Sequence, residues 1–178
     1  MKKPIGFSLC ILLSALSCRI NAEGNRYQIE LLVFEQGVQS TAVSRQTDSL
    51  IHWSTALTEL SGIQQTDSKM LQDGASKLLQ RPSYRLIMHN TWMQSVGPGG
   101  VILPMHIKSE DGRLDGFIQL RHNQPFELIV DFEEQSLQTD SMGKRFLYRI
   151  NEKRSFNLNE IQYFDHPKIG AIVQVSQL

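Results

Sequence analysis

The stretch Tyr27-Gln28-Ile29-Glu30-Leu31-Leu32-Val33-Phe34 decides how the rest of the chain is read. It opens as apolar/polar alternation and ends apolar on every residue, the pattern of a strand running from a half-covered position into a sheet centre. A central strand needs neighbours on both sides. Six further strand-like runs supply them: Tyr84 to Gln94, Val101 to Lys108, Arg113 to Arg121, Phe126 to Glu133, Phe146 to Lys153 and Ile169 to Val175. Turn-forming residues such as Gly97-Pro98-Gly99-Gly100, Asp111-Gly112 and Asn123-Gln124-Pro125 separate them, and connections this short imply antiparallel neighbours. Within one run Phe126, Leu128, Val130 and Phe132 alternate with Glu127, Asp131 and Glu133, so a sheet with one wet side is expected, its acids facing solvent.

Helical spacing occurs twice. Asp48 can cap a short helix in which Leu50, Trp53, Leu57 and Leu60 recur before Gly62. From Thr66 onward Leu71, Ala75, Leu78 and Leu79 form one apolar stripe, and Pro82 excludes the helical conformation at Arg81 and ends it. Residues 36–48, rich in Gln, Ser and Thr, read as a surface loop. The predicted fold is α+β, mainly antiparallel β-sheet with one or two amphipathic helices packed on one face. No fixed-period repeat points to a solenoid or propeller.

The chain has 178 residues, with 18 Lys plus Arg against 18 Asp plus Glu. Its start, Lys2-Lys3 followed by an apolar run from Ile5 to Leu16, is too short for a membrane span and reads as a signal peptide over residues 1–22, cut after Ala22. A rival cut at Cys18, after Ala15-Leu16-Ser17, would leave a lipid anchor. Removing residues 1–22 leaves a single domain, 23–178, with 15 basic and 18 acidic residues, a net charge of −3 and no transmembrane segment. That balance does not suit nucleic acid. Both cysteines, Cys10 and Cys18, fall in the leader, so the remaining chain has no disulfide.

Two common routes to bond-breaking chemistry are missing. There is no GxSxG elbow and no thiol outside the leader, and His52, His89, His106, His122 and His166 lie far wider apart than the i, i+4 spacing of helical zinc ligands. No catalytic residue, metal site or cofactor is assigned. Acids cluster at Asp131, Glu133 and Glu134 and again at Glu110, Asp111 and Asp115, and a wall-cleaving glycosidase would need two such groups. Asp111-Gly112 is hairpin-turn chemistry, however, and the strand acids fit a solvated face.

Near the C-terminus, Tyr163-Phe164-Asp165-His166-Pro167-Lys168-Ile169-Gly170 specifies its own shape. Pro167 forces His166 extended, and Asp165 is placed to cap later amides such as those of Lys168 or Ile169, which makes Asp165, Pro167 and Gly170 the framework of a turn. Taken with Tyr27 to Phe34, and with Tyr84-Arg85-Leu86-Ile87-Met88-His89 followed by Trp92 and Gln94, this block resembles the CsiV family, the cell-shape-integrity, peptidoglycan-binding proteins of Gram-negative bacteria. Two departures stand out: a shorter interval between the first strand and Trp53, and Gln162 where a His is expected beside the Tyr.

The resemblance implies a non-enzymatic periplasmic protein that binds peptidoglycan and supports a bifunctional penicillin-binding protein together with its lipoprotein activator LpoA. A reader of wall polymer needs an aromatic face for a sugar ring and donors for hydroxyls and carboxylates. Trp92, Tyr163, His89 and His166 are the candidate ligand-binding residues, although Trp92 shares the strand parity of Tyr84, Leu86 and Met88 and equally suits a core. The alternatives are a purely protein-binding domain, whose partner would be such an activator, and a wall hydrolase using Asp131, Glu133 or Asp111.

Overall fold

Strand β1, Arg26–Gln36, lies between two antiparallel neighbours, β3 (Tyr84–Ser95) and β9 (Ile169–Gln177), with β8 (Ile161–Asp165) completing a sheet of order β3-β1-β9-β8. The computed structural model describes residues 25–37, 46–63, 66, 70–97 and 100–178. A second sheet has the order β2-β4-β5-β6-β7, from β2 (Thr58–Glu59), β4 (Met105–Lys108), β5 (Leu114–Arg121), β6 (Phe126–Thr139) and β7 (Arg145–Phe156). Among the described residues only β2 and β4 run parallel.

The sheets face each other across one core. Ile29, Leu31, Val33, Trp92 and Val173 of the first meet Ile107, Ile118, Val130, Phe132 and Ile150 of the second. The opposite face of the first sheet carries Leu32 and Phe34, which pack beneath Ala75 and Leu78 of α1, Gln72–Leu79. Period-two alternation thus serves both sides of β1, which explains why its sequence is apolar throughout its second half.

Between Val33/Met88 and Phe34/Leu86 the pairing slips, leaving Ile87 as the extra residue of a β-bulge. The bulge breaks the parity expected along this strand. Tyr84 and Leu86 pack on the α1 side, whereas Met88 and Trp92 point into the core.

Four expectations need correction. Residues 50–60 do not form the first helix: Leu50 and Trp53 are exposed, Thr58 and Glu59 pair with β4, and only a 3-10 turn, Leu60–Gly62, follows. A single α-helix therefore accompanies the sheets among the described residues. The run from Val101 is strand only from Met105, since Val101 and Leu103 are exposed.

Asp131 and Glu133 are not on a wet face. Both are buried, because Arg149 on the neighbouring strand binds Asp131 through Nε and Nη2 at 2.8 Å each, and Glu133 Oε1 accepts from Leu50 N at 2.8 Å and Gln46 Nε2 at 3.0 Å. Residues 46–57 thereby lie across the outer side of the second sheet. Finally, the run before the last turn is itself a strand, β8. The segment read as a leader, with Cys10 and Cys18, most of the expected 36–48 loop and Pro98-Gly99 lie outside the described residues.

Candidate functional site

The end of β8 makes an exposed corner. Tyr163 pairs with Ile172 and so faces the α1 side of the first sheet, while Phe164 faces the core. The Tyr163 ring is 42% exposed and lies almost parallel to the buried Phe34 ring, with centroids 6.4 Å apart, and Tyr84 meets Phe34 edge-on at 5.5 Å. Three rings from three strands form a row whose outer member is open to solvent.

Polar groups fix this row in place. Asp165 Oδ1 accepts from Tyr163 OH at 2.9 Å and from Gln36 Nε2 at 2.6 Å, and the same amide nitrogen lies 3.1 Å from His166 O. Burial, and next the hydrogen bond to the Asp165 carboxylate, push the Tyr163 phenol up to about 12. It remains a neutral donor.

The turn is built differently from the sequence expectation. Asp165 reaches back to β1 instead of capping Lys168 or Ile169; the Lys168 amide donates to His166 Nδ1 at 3.2 Å, and His166 N donates to Ile169 O at 3.0 Å. His166 is thus the residue that closes its own turn. With Nδ1 accepting, the neutral ring carries its proton on Nε2. Burial holds its pKa below the ordinary value, and the ring stacks on Tyr148 at 5.7 Å. Pro167 is exposed in the turn; Gly170 lies beyond it, in β9, directly against Phe34.

Trp92 and His89 do not join this corner. They belong to β3, at the opposite edge of the sheet, with β1 and β9 between. Trp92 is wholly buried in the core, its Nε1 3.4 Å from Gln94 Oε1. His89 has a side chain only 8% exposed and meets the buried Glu30 at 2.5 Å. Glu30 also accepts the amides of Met70 and Leu71, so this pair anchors the approach to α1. Of the predicted ligand-binding residues, Tyr163 and His166 come from the same turn region, Tyr163 on the α1 side of the first sheet and the His166 ring against Tyr148 of the second.

Under the same end of the molecule lies a charged cluster that sequence reading missed. Arg85 Nε binds Glu35 Oε2 at 2.6 Å, and Arg113 Nη1 and Nη2 lie 3.3 Å from Glu35 Oε1 and 3.5 Å from Glu134 Oε1. The hydrogen bond from Arg85 holds the Glu35 carboxyl down at about 2, whereas burial, followed by a hydrogen bond with Glu35, raises Glu134 to about 8. At neutral pH the two carboxyls keep one proton between them. Their residues come from strands about a hundred positions apart, and no local motif announces them.

The other acids considered for catalysis are held in ion pairs. Asp111 accepts from Arg113 Nε at 2.9 Å and from Ser109 Oγ at 2.7 Å, which places its pKa well below the carboxylate range. Asp131 is bound by Arg149. Among the described residues no three His, Cys, Asp or Glu side chains converge as metal ligands would, and no helix is long and apolar enough to cross a membrane.

Comparison with known proteins gives no match to a curated relative or to a solved structure. A family model does match, over residues 58–178, from β2 to the end of the chain and including the whole Tyr163–Gly170 corner. It is described as peptidoglycan-binding protein, CsiV, and by that match the chain belongs to the CsiV family.

Proposed function

We propose that the protein is a non-enzymatic, periplasmic accessory factor that holds peptidoglycan at the Tyr163 corner and supports wall synthesis by a bifunctional penicillin-binding protein. The observation that carries the site is the exposed Tyr163 ring backed by Phe34 and flanked by the fixed Asp165 carboxylate and Gln36 amide. A sugar ring has apolar C–H faces and hydroxyl edges, so an aromatic plane beside hydrogen-bonding groups is complementary to it. Binding without cleavage fits the commitment of Asp111 and Asp131 to arginines.

The leader supports export, and the family description supports the wall as ligand. The lipoprotein activator LpoA is the protein partner that the family resemblance brings with it. The test is retention on isolated sacculi of protein purified from cells expressing the full chain. Retention above that of a neutral control protein, reduced by Tyr163→Ala in a folded variant, is the expected result. No retention of the wild type would remove the wall-binding reading, and crosslinking in cells that captures neither LpoA nor a synthase would remove the partner reading.

A further inference from the structure

On the far side of the molecule, residues 46–57 set Trp53 against the outer face of the second sheet, 44% exposed. The indole stands perpendicular to the His106 ring at 5.4 Å and tilted over Phe117 at 6.3 Å, two contacts that fix it while leaving much of its surface in water. His106 sits between two carboxylates, with Nδ1 2.9 Å from Glu59 Oε2 and Nε2 2.7 Å from Asp115 Oδ1. The register explains the convergence. Parallel pairing puts Glu59 beside His106, and antiparallel pairing puts Phe117 on its other side, with Asp115 two residues along the same face.

Burial disfavours a charged His106, but the hydrogen bonds with Asp115 and Glu59 outweigh it and raise the pKa of the ring. The Glu59 and Asp115 side chains are themselves 66% and 41% exposed. Each carboxylate offers about four acceptor positions; His106 Nδ1 sits between both Glu59 oxygens and Asp115 Oδ1 also accepts from Gly116 N at 3.0 Å, which leaves the outer positions of Glu59 and Oδ2 of Asp115 for a ligand. Two acceptors therefore stand in fixed orientation next to a rigid, half-open indole.

We propose that Trp53, Glu59, His106 and Asp115 form a second carbohydrate site, in which the indole takes the C–H face of an uncharged sugar ring and the two carboxylates accept hydrogen bonds from its hydroxyls. Indole is the largest aromatic surface available for such a contact, and hydroxyl donors to carboxylates make strong, directional bonds. Two carboxylates around one imidazole leave the site negative whether or not the ring is protonated, which turns away anionic ligands and favours a neutral ring. For the identity of that ring, an N-acetylated hexosamine of the wall glycan, the inference rests on the wall-binding reading. The site faces away from the Tyr163 corner, across both sheets.

The test uses protein purified from cells expressing the full chain and the N-acetylglucosamine tetramer as probe. Quenching by neutral acrylamide reports chiefly on Trp53, since Trp92 is wholly buried, and calorimetry follows the variants. Saturable protection of Trp53 is expected, with affinity weakened at least ~tenfold in Trp53→Ala and in the double variant Glu59→Gln, Asp115→Asn, both keeping the wild-type circular dichroism. Absence of saturable protection in the wild type, or affinity unchanged in Trp53→Ala, overturns the site. Sacculus retention separates the two readings: sacculi retained without tetramer binding overturns this site and leaves the corner standing. Tetramer binding at Trp53 without sacculus retention supports the site and removes the wall.

Discussion

The ring of Phe34 lies directly on the backbone of Gly170: a Cβ at Gly170 would stand 2.4 Å from Phe34 Cζ. This contact lets the aromatic row come down onto the sheet. Gly170→Ala is therefore expected to destabilise the fold by about 1–3 kcal/mol through overpacking. The loss should be smaller in a Phe34→Leu background, and a double-mutant cycle by denaturant unfolding gives the coupling directly.

Asp165 is exposed, and its effect is correspondingly modest. Asp165→Ala removes the acceptor shared by Tyr163 and Gln36 and should cost about 1 kcal/mol, while Asp165→Asn keeps Oδ1 and should stay near wild type in the same unfolding experiment. Spectrophotometric titration offers a second reading. The Tyr163 phenol, at about 12 in the wild type, should titrate lower in Asp165→Ala, burial being left as the main cause of its elevation.

Glu134 makes stability depend on pH. Between the ordinary carboxyl value of 4.5 and about 8, the folded protein holds a proton at Glu134 that the unfolded chain has released, so stability falls as pH rises through that window. Glu35, held at about 2, works in the opposite sense: its contribution is present above 4.5 and is lost as pH falls towards 2. Glu134→Gln keeps an amide donor for Glu35 and should flatten the alkaline side, melting higher than wild type above pH 8. Thermal melts across pH 4 to 9 check this, and an unchanged alkaline slope would contradict it.

Glu30 is fully buried and serves His89 and the amides of Met70 and Leu71. Glu30→Ala should cost about 3 kcal/mol, since it leaves His89 and the amides of Met70 and Leu71 without their acceptor, and hydrogen exchange should show α1 loosening before the sheets.

Trp92 fills the core, so its truncation is a packing experiment. Trp92→Ala is expected to cost about 3–5 kcal/mol. Trp92→Phe should fold and bind sacculi like wild type, and selective loss of retention in that variant would mean that the indole reaches the ligand.

The sequence was most informative where one strand's own side chains set its environment. The apolar face of Phe126 to Phe132 and the double-sided apolar half of β1 are properties of the strand alone, and they form as read. It misled where a partner distant in the chain decides. Asp131 and Glu133 look like solvent-facing residues until Arg149 and the 46–50 segment cover them. The helical spacing of Leu50, Trp53, Leu57 and Leu60 was coincidental, because backbone groups of that segment bond to Glu133 of β6 and to Pro104, just before β4. At the corner, the turn after Asp165 was legible because Pro167 restricts it, whereas Gln36, 129 residues before Asp165, carried no signal. Trp92 and His89 could not be sorted from Tyr163 until the order of the strands put β3 and β8 at opposite edges.

The single amide of Gln36, reaching Asp165 Oδ1 and His166 O from the end of β1, has a thermodynamic corollary. Conformational freedom of the Tyr163 ring is surrendered when the chain folds, not when a sugar arrives. Association at this corner is then expected to show little entropic penalty from the protein, so that a weak, repetitive polymer can be caught and released quickly at many points along its length.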